Sequence, residues 1–293
     1  MALRVEHDDL SISECSFNWS EPDGTEAAPP GDAARDLDLL THHVRKVCAG
    51  RPERLSGVGV AMPATLDATG TVTAWPGRPG WAGVDLRGAL STLFGDAEVR
   101  CADDGDVAAL AEAHEAGCPD LFYLGVGTGV GGGIVLNGTS LPGVGRGFSC
   151  EAGHLIVDRG GPLCDCGRRG CVQAVASGPA TLRRAARRRG GEVTFGALRE
   201  GALDGQPWAV TSLRESCAAL AAAVAGVCEL LHPALVLIGG GFAAAMPDFV
   251  ETVAERTTAL ERPGHPLPPV RPARLGGLSS LHGAVLLAKG LPR

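Results

Sequence analysis

Lysine is almost missing from this chain: Lys46 and Lys289 are the only two, and arginine supplies the other basic residues. With abundant alanine and glycine, that bias suggests a high-GC genome and carries no chemistry. No run of eighteen apolar residues occurs, so no membrane span is expected. The N-terminus MALRVEHDDL has no apolar stretch behind basic residues, so no secretory signal is expected either. Ten cysteines without such a signal point to the reducing cytoplasm, with most thiols free. No glycine-rich run is followed by Gly-Lys-Ser/Thr, which excludes a Walker A loop. A net charge of −7 argues against nonspecific nucleic-acid binding. The cluster Arg183, Arg184, Arg187, Arg188 and Arg189 reads as a solvated helix face. There is no sequence repeat. What is present is an ordinary globular composition, 45% hydrophobic and 20% charged, over 293 residues, enough for two lobes.

Strand and helix patterns alternate along the chain. Residues 2–19 read as a β-hairpin turning at His7 to Asp9, and residues 20–35 as a loop. Asp36 to Cys48 is a helix carried by Leu37, Leu40, Val44 and Val47. LSGVGVAM, Leu55 to Met62, is a buried strand ended by Pro63. Thr71–Trp75 and Ala97–Cys101 read as strands, Asp85–Phe94 and Val107–Glu115 as helices. A second set follows: strands over Asp120–Val126 and Ile134–Leu136, a helix over Gly178–Arg189, and a long alanine-rich helix over Leu213–Leu231. The strand Ala234–Ile238 stops at three glycines. Phe249–Leu260 is helical, 263–272 is extended, and Ser279–Lys289 closes the chain as a helix. This alternation defines an α/β class.

The densest chemistry lies in Glu151 to Gln173, EAGHLIVDRGGPLCDCGRRGCVQ. Cys164, Cys166 and Cys171 fall within eight residues, and His154 lies ten positions before the first. Three thiolates and an imidazole complete a tetrahedral ligand set for structural zinc. A disulfide framework would leave one cysteine over. Glu151 and His154 also offer acceptor and donor groups suited to sugar hydroxyls, the second ring nitrogen of a ligating His154 being left to hydrogen-bond. Elsewhere, the run Gly125 to Gly133 allows backbone N–H groups to approach phosphate oxygens, and Thr128 adds a hydroxyl. It can equally be a tight turn only. Gly239, Gly240 and Gly241 follow a buried strand, where ligands bind in α/β folds, or where a glycine turn simply opens a helix. Asp103, Asp104 and Asp106 end another strand, where carboxylates can take a proton from an alcohol or hold Mg²⁺, or merely sit in a solvated turn.

Glu-x-Gly-His followed by Cys-x-Cys-Gly-x-x-Gly-Cys resembles the signature of the ROK family (repressors, open reading frames and sugar kinases). The likeness extends over nearly the whole chain. GVAMPATLDATGTV, PGWAGVDL, ADDGDVAALAE, GVGTGVGGGIVLNG and LIGGGFA resemble the remaining family motifs in their family order. The resemblance implies an actin-like ATPase (ribonuclease H-like) fold: two α/β lobes, a cleft between them and a structural zinc loop. Residues 1–106 with the helix 279–293 would form the smaller lobe, and 107–278 the larger. It implies that Asp104 is the general base and that Gly127, Thr128 and Gly129 hold phosphate. Gly239, Gly240 and Gly241 would hold adenosine, and Asp103, Glu151, His154 and Gln173 the sugar. ATP, Mg²⁺ and Zn²⁺ follow as cofactors, and a homodimer as the assembly.

Three departures from the family pattern bear on function. The opening Asp-x-Gly-Gly-Thr motif is absent, and MALRVEH matches the strand that follows it. Either the start is placed late or the motif is lost, leaving a sugar-binding sensor or pseudokinase as the alternative function. Asp103 stands where the family carries the Asn that binds a sugar hydroxyl. Gln173 stands for the Glu after the last zinc cysteine, keeping one acceptor and adding a donor. The expected activity is ATP-dependent phosphorylation of a primary hydroxyl. The substrate is glucose, another hexose or a C7-cyclitol. A repressor would need a helix-turn-helix segment ahead of the sugar lobe, and none is seen.

Overall fold

The computed structural model describes residues 2–7, 12–16, 32–48, 55–76, 78–141 and 149–290. They form two compact units: Met1–Ala111 with Thr139–Ser149 and Leu278–Arg293, and Glu112–Gly138 with Cys150–Gly277. The anticipated turn at His7 to Asp9 and most of the anticipated loop 20–35 lie outside the described residues.

The first unit is built on a four-stranded sheet in the order Ile12–Ser16, Ala2–His7, Leu55–Met62, Glu98–Asp103. Ala2–His7 runs antiparallel to both neighbours, while Leu55–Met62 and Glu98–Asp103 run parallel. The two-residue period of LSGVGVAM sorts its side chains onto two different layers. Val58, Val60 and Met62 enter a core with Leu40, Val44, Leu86, Leu90 and Trp81. Gly57, Gly59 and Ala61 keep the opposite face thin, and the helix Ser279–Ala288 lies directly on it. A Cβ at Gly59 would sit 1.8 Å from the Ala284 carbonyl oxygen. The helix Ala33–Cys48 starts three residues before the apolar spacing suggests. On it the buried Asp36 accepts from Trp81 Nε1 at 2.8 Å and pairs with Arg78, so this inward-facing carboxylate is fully engaged. Asp85 caps the helix Leu86–Phe94, its Oδ1 accepting from the Gly88 N–H at 2.8 Å.

The second unit carries a sheet in the order Val270–Pro272, Leu235–Gly239, Leu121–Val126, Val130–Leu136. The first three run parallel, and Val130–Leu136 returns antiparallel. Strands buried on both faces need continuous apolar runs, as Leu121–Leu124 and Val236–Ile238 supply. The proline-rich segment contributes only an edge strand, where Pro272 costs no ladder bond. The helix Pro207–Leu231 begins six residues before the alanine-rich stripe, because Pro207 suits a first turn. Phe122, Leu124, Leu220, Val224, Phe249 and Val253 meet in the core of this unit. Two helices have no counterpart in the sequence reading, Val172–Ala176 and Phe195–Leu203. The first has only five residues, too few to show a 3.6-residue period, and the second is interrupted by Gly196 and Gly201. The arginine cluster is also not uniformly solvated. Arg184 is largely buried and donates to the carbonyls of Val175 at 2.8 Å and Ser212 at 2.7 Å. No helix among the described residues is long and apolar enough to cross a membrane.

Candidate functional site

In the first unit the acidic knot is a strand-to-helix junction with no intervening loop. Glu98–Asp103 ends at Asp103, paired with Met62 in register, and Asp104 opens the helix Asp104–Ala116. This departs from the solvated-turn reading, and the reason is local. Asp103 Oδ1 accepts the N–H groups of Gly105 at 2.9 Å and Asp106 at 3.3 Å, satisfying two first-turn amides. The Asp104 carbonyl accepts from Ser280 Oγ at 3.0 Å, fixing the junction to the C-terminal helix. Burial, then the Asp104 and Asp106 charges, push the Asp103 carboxyl up to about 8. Burial likewise raises the Asp104 carboxyl above the ordinary range, opposed by the Gly105 N–H. One helix start therefore holds two carboxyls whose charged forms are disfavoured.

In the second unit the glycine run is mostly strand. Gly131, Gly132 and Gly133 pair with Gly125, Leu124 and Tyr123, so the turn itself contains only Gly127, Thr128 and Gly129. The reading of 125–133 as one loop is corrected accordingly: Gly131 to Gly133 are strand residues, and Gly132 is packed so closely that a Cβ would sit 2.4 Å from the Tyr123 carbonyl oxygen. Three neighbours hold the turn. The Gly178 N–H donates to the Gly127 carbonyl at 2.9 Å. The Val130 N–H donates to Gln173 Oε1 at 3.1 Å. Gly153 lies so close that a Cβ there would sit 1.8 Å from the Val130 oxygen. Gly153→Ala should therefore lower the melting temperature by about 5 °C or more, because backbone leaves the methyl no room. A variant melting with the parent would refute that packing. Beside this turn, Gly239 ends its strand opposite Gly125. Gly240 takes φ +87 against Val126, and Gly241 begins the helix Gly241–Ala245.

The cysteine loop closes on itself. The ligand atoms of His154, Cys164, Cys166 and Cys171 all lie within 4.8 Å of one another. Cys166 Sγ and Cys171 Sγ are 3.7 Å apart, as are Cys164 Sγ and His154 Nδ1. A tetrahedron with Zn–S bonds of about 2.3 Å has edges of about 3.8 Å, so the donor set and its spacing fit zinc. A disulfide needs about 2.05 Å, which these sulfurs do not approach. Burial pushes the Cys171 thiol up to about 11, whereas the Arg168 amide brings the exposed Cys166 down to about 6. His154 Nε2 lies 3.8 Å from Glu151 Oε2, within charge range and beyond a direct hydrogen bond. Its second nitrogen thus faces a neighbour on the same loop.

Two roles escaped the sequence reading. Gln173 was taken as a sugar contact, yet its carbonyl oxygen engages Val130, so the residue following the last cysteine ties this loop to the glycine turn. Only its amide N–H groups are left to point elsewhere. Glu112, fully buried, accepts the backbone N–H groups of Arg274 at 2.9 Å and Leu275 at 3.0 Å. A glutamate at a helical position six after Asp106 carried no signal for that contact.

Comparison with known proteins places these features in a family. The ROK family model matches residues 31–290. The chain is 52% identical over 288 residues to the kanosamine kinase of Amycolatopsis mediterranei, covering 98% of this chain and 92% of the relative. The crystal structure of the ROK hexokinase from Thermus thermophilus superposes with a TM-score of 0.79 at 29% identity, covering 99% of this chain and 98% of the other. The ROK family glucokinase from Streptomyces griseus, solved with glucose and AMPPNP, gives 0.76 at 27% identity and covers 90% of each chain. With the zinc-ligand set, the glycine turn and the strand-end aspartates at the matching motifs, and a two-unit α/β fold shared with actin-like sugar kinases, this chain belongs to the ROK family.

Proposed function

We infer that this protein is an ATP-dependent sugar kinase that phosphorylates a primary hydroxyl of an amino hexose of the kanosamine kind. The observation that carries the reading is the near-full-length identity to a kanosamine kinase. Nothing in the relatives supports the sensor or pseudokinase alternative.

In this reading Asp104 takes the proton of the attacking hydroxyl. Burial raises its pKa above the ordinary carboxylate range, which makes the carboxylate a stronger proton acceptor. The O–H bond breaks, the sugar oxygen bonds to the γ-phosphorus, and the bond from phosphorus to the bridging oxygen breaks to release ADP. Thr128 and Gly129 offer N–H and hydroxyl donors to the phosphates, Gly127 shapes the turn by donating its own N–H to the Gly129 carbonyl at 2.9 Å, and Gly239, Gly240 and Gly241 border the nucleotide. Asp103, Glu151, His154 and the Gln173 amide are the sugar contacts. Phosphoryl transfer asks mainly for such positioning and charge stabilisation.

His154, Cys164, Cys166 and Cys171 would hold Zn²⁺, which with four protein ligands serves as a structural pin. Mg²⁺ would accompany the nucleotide and would supply charge neutralisation on its phosphates. The homodimer and the cytoplasmic setting belong to the same reading.

The test is ADP release by the zinc-loaded chain with Mg-ATP and a panel of kanosamine, glucosamine, glucose and cyclitols. Kanosamine should give the highest kcat/KM. Absence of sugar-dependent ADP release across the panel would overturn the kinase reading, and turnover of cyclitols alone would overturn the substrate class.

A further inference from the structure

We propose that Asp103 is the residue that reads the ammonium group of the sugar, its carboxylate pairing with the amine that distinguishes an amino hexose from glucose. The inference rests on the kinase reading above and adds the specificity element to it. Its starting point is an asymmetry within one side chain. Oδ1 of Asp103 is taken by the N–H groups of Gly105 and Asp106. No donor among the described residues reaches Oδ2, and that atom is not among the sealed, unpartnered polar atoms of the interior. It is an acceptor open to a ligand, one residue before the proposed base.

The fold does not need a carboxylate there. An asparagine oxygen would accept the same two amides, since Asn and Asp are equally good at helix starts. The negative charge is therefore surplus to the local structure, and it is a costly surplus. Asp104 and Asp106 follow within three positions, and both charges disfavour a third at Asp103. The pKa of about 8 registers that cost, and a cation seated beside Asp103 would draw it down and restore the carboxylate. A half-buried carboxylate whose charge its own helix start does not require is a functional signal.

Two cations could use it, a metal ion or a ligand amine. Among the described residues, the zinc set is the one group of three or more such side chains whose ligand atoms converge. Asp103, Asp104 and Asp106 do not, so a shared divalent ion is disfavoured by geometry. A neutral hexose offers no cation. An amino hexose offers one ammonium with three donors, and a single open carboxylate oxygen suits it. That the 52%-identical relative is named for kanosamine is an observation independent of the cluster.

The experiment measures equilibrium binding of kanosamine and of glucose, and kcat/KM for each with Mg-ATP, in the zinc-loaded parent and in Asp103→Asn. Asparagine retains the cap, and a thermal melt checks the fold. The expected result is that the kanosamine-to-glucose ratio of kcat/KM falls about tenfold or more in the variant, mainly through KM. The binding ratio should fall alongside. An unchanged ratio, or an equal loss for both sugars, would overturn the assignment. Asp103-dependent binding of kanosamine without ADP release would sink the kinase reading and leave this one standing. Kanosamine turnover with an unaltered ratio would do the reverse, and a parent that binds neither sugar would overturn both.

Discussion

Asp104→Asn should lower kcat by a factor of about 10² to 10⁴, the usual contribution of a positioned general base. Folding and sugar binding should survive. The local frame does not depend on the carboxylate: the Asp104 carbonyl is held by Ser280, and Asp103 supplies the cap. Asparagine removes a charge that burial disfavours, which offsets the few tenths of a kcal/mol lost at the helix N-terminus. The parent's pH profile supplies a second reading. The base acts deprotonated, and its pKa is raised, chiefly by burial. Activity should therefore fall as pH drops through that raised value, placing the acid limb above the ordinary carboxylate range. The variant's residual rate should lack the limb. Retention of more than a few per cent of parental kcat, in a protein with normal sugar binding, would exclude Asp104 as the base.

Removing zinc should have the second large effect, and on a different observable. Structural zinc sites contribute apparent binding free energies on the order of 10 kcal/mol, comparable to the whole stability of a typical domain. Here the loop holds more than itself. Cys171 is fully buried and leads directly into Val172–Ala176, whose Gln173 holds the Val130 amide of the glycine turn. Gly153, one residue before the ligand His154, packs on the same Val130. Chelation, or Cys171→Ser, should lower the melting temperature by 10 °C or more, on the order expected for losing several kcal/mol. Affinity for ATP should weaken together with that for sugar, because loop and turn share these contacts. Metal analysis should return one zinc per chain. Full removal of zinc with unchanged melting and unchanged kinetics would show that the cluster is not a structural site.

Much of this was legible in the residues. The spacing of His154, Cys164, Cys166 and Cys171 is a local property of a short glycine-rich loop, and the folded chain brings those four donors together. The buried strands Leu55–Met62 and Leu121–Val126 were carried by apolar runs, and the helix Gly178–Arg189 forms over the residues expected, with proline in its first turn and Gly190 at its end. Asp103 and Asp104 stood out as acids at a strand end. Glycine misled the reading at 131–133, because its lack of a side chain serves equally for a turn and for a strand, here one that packs closely against Ala152 at Gly132. Helix starts were late wherever the first turn carried no apolar stripe, as at Pro207.

What the residues determined by themselves was chemistry of short range. A ligand set, a capped helix start and an alternating strand each depend on neighbours within a few positions, where chain geometry leaves few choices. What only the tertiary structure decided was which groups remain open. Gln173 Oε1 is engaged because Val130, 43 positions earlier, lies against it. Glu112 is used up by backbone amides 162 and 163 positions away. One oxygen of Asp103 is committed to its own helix and the other is not. Whether a polar atom is free to bind a ligand depends on partners arriving from distant segments and on the water they exclude, and no local pattern in the chain encodes that arrival.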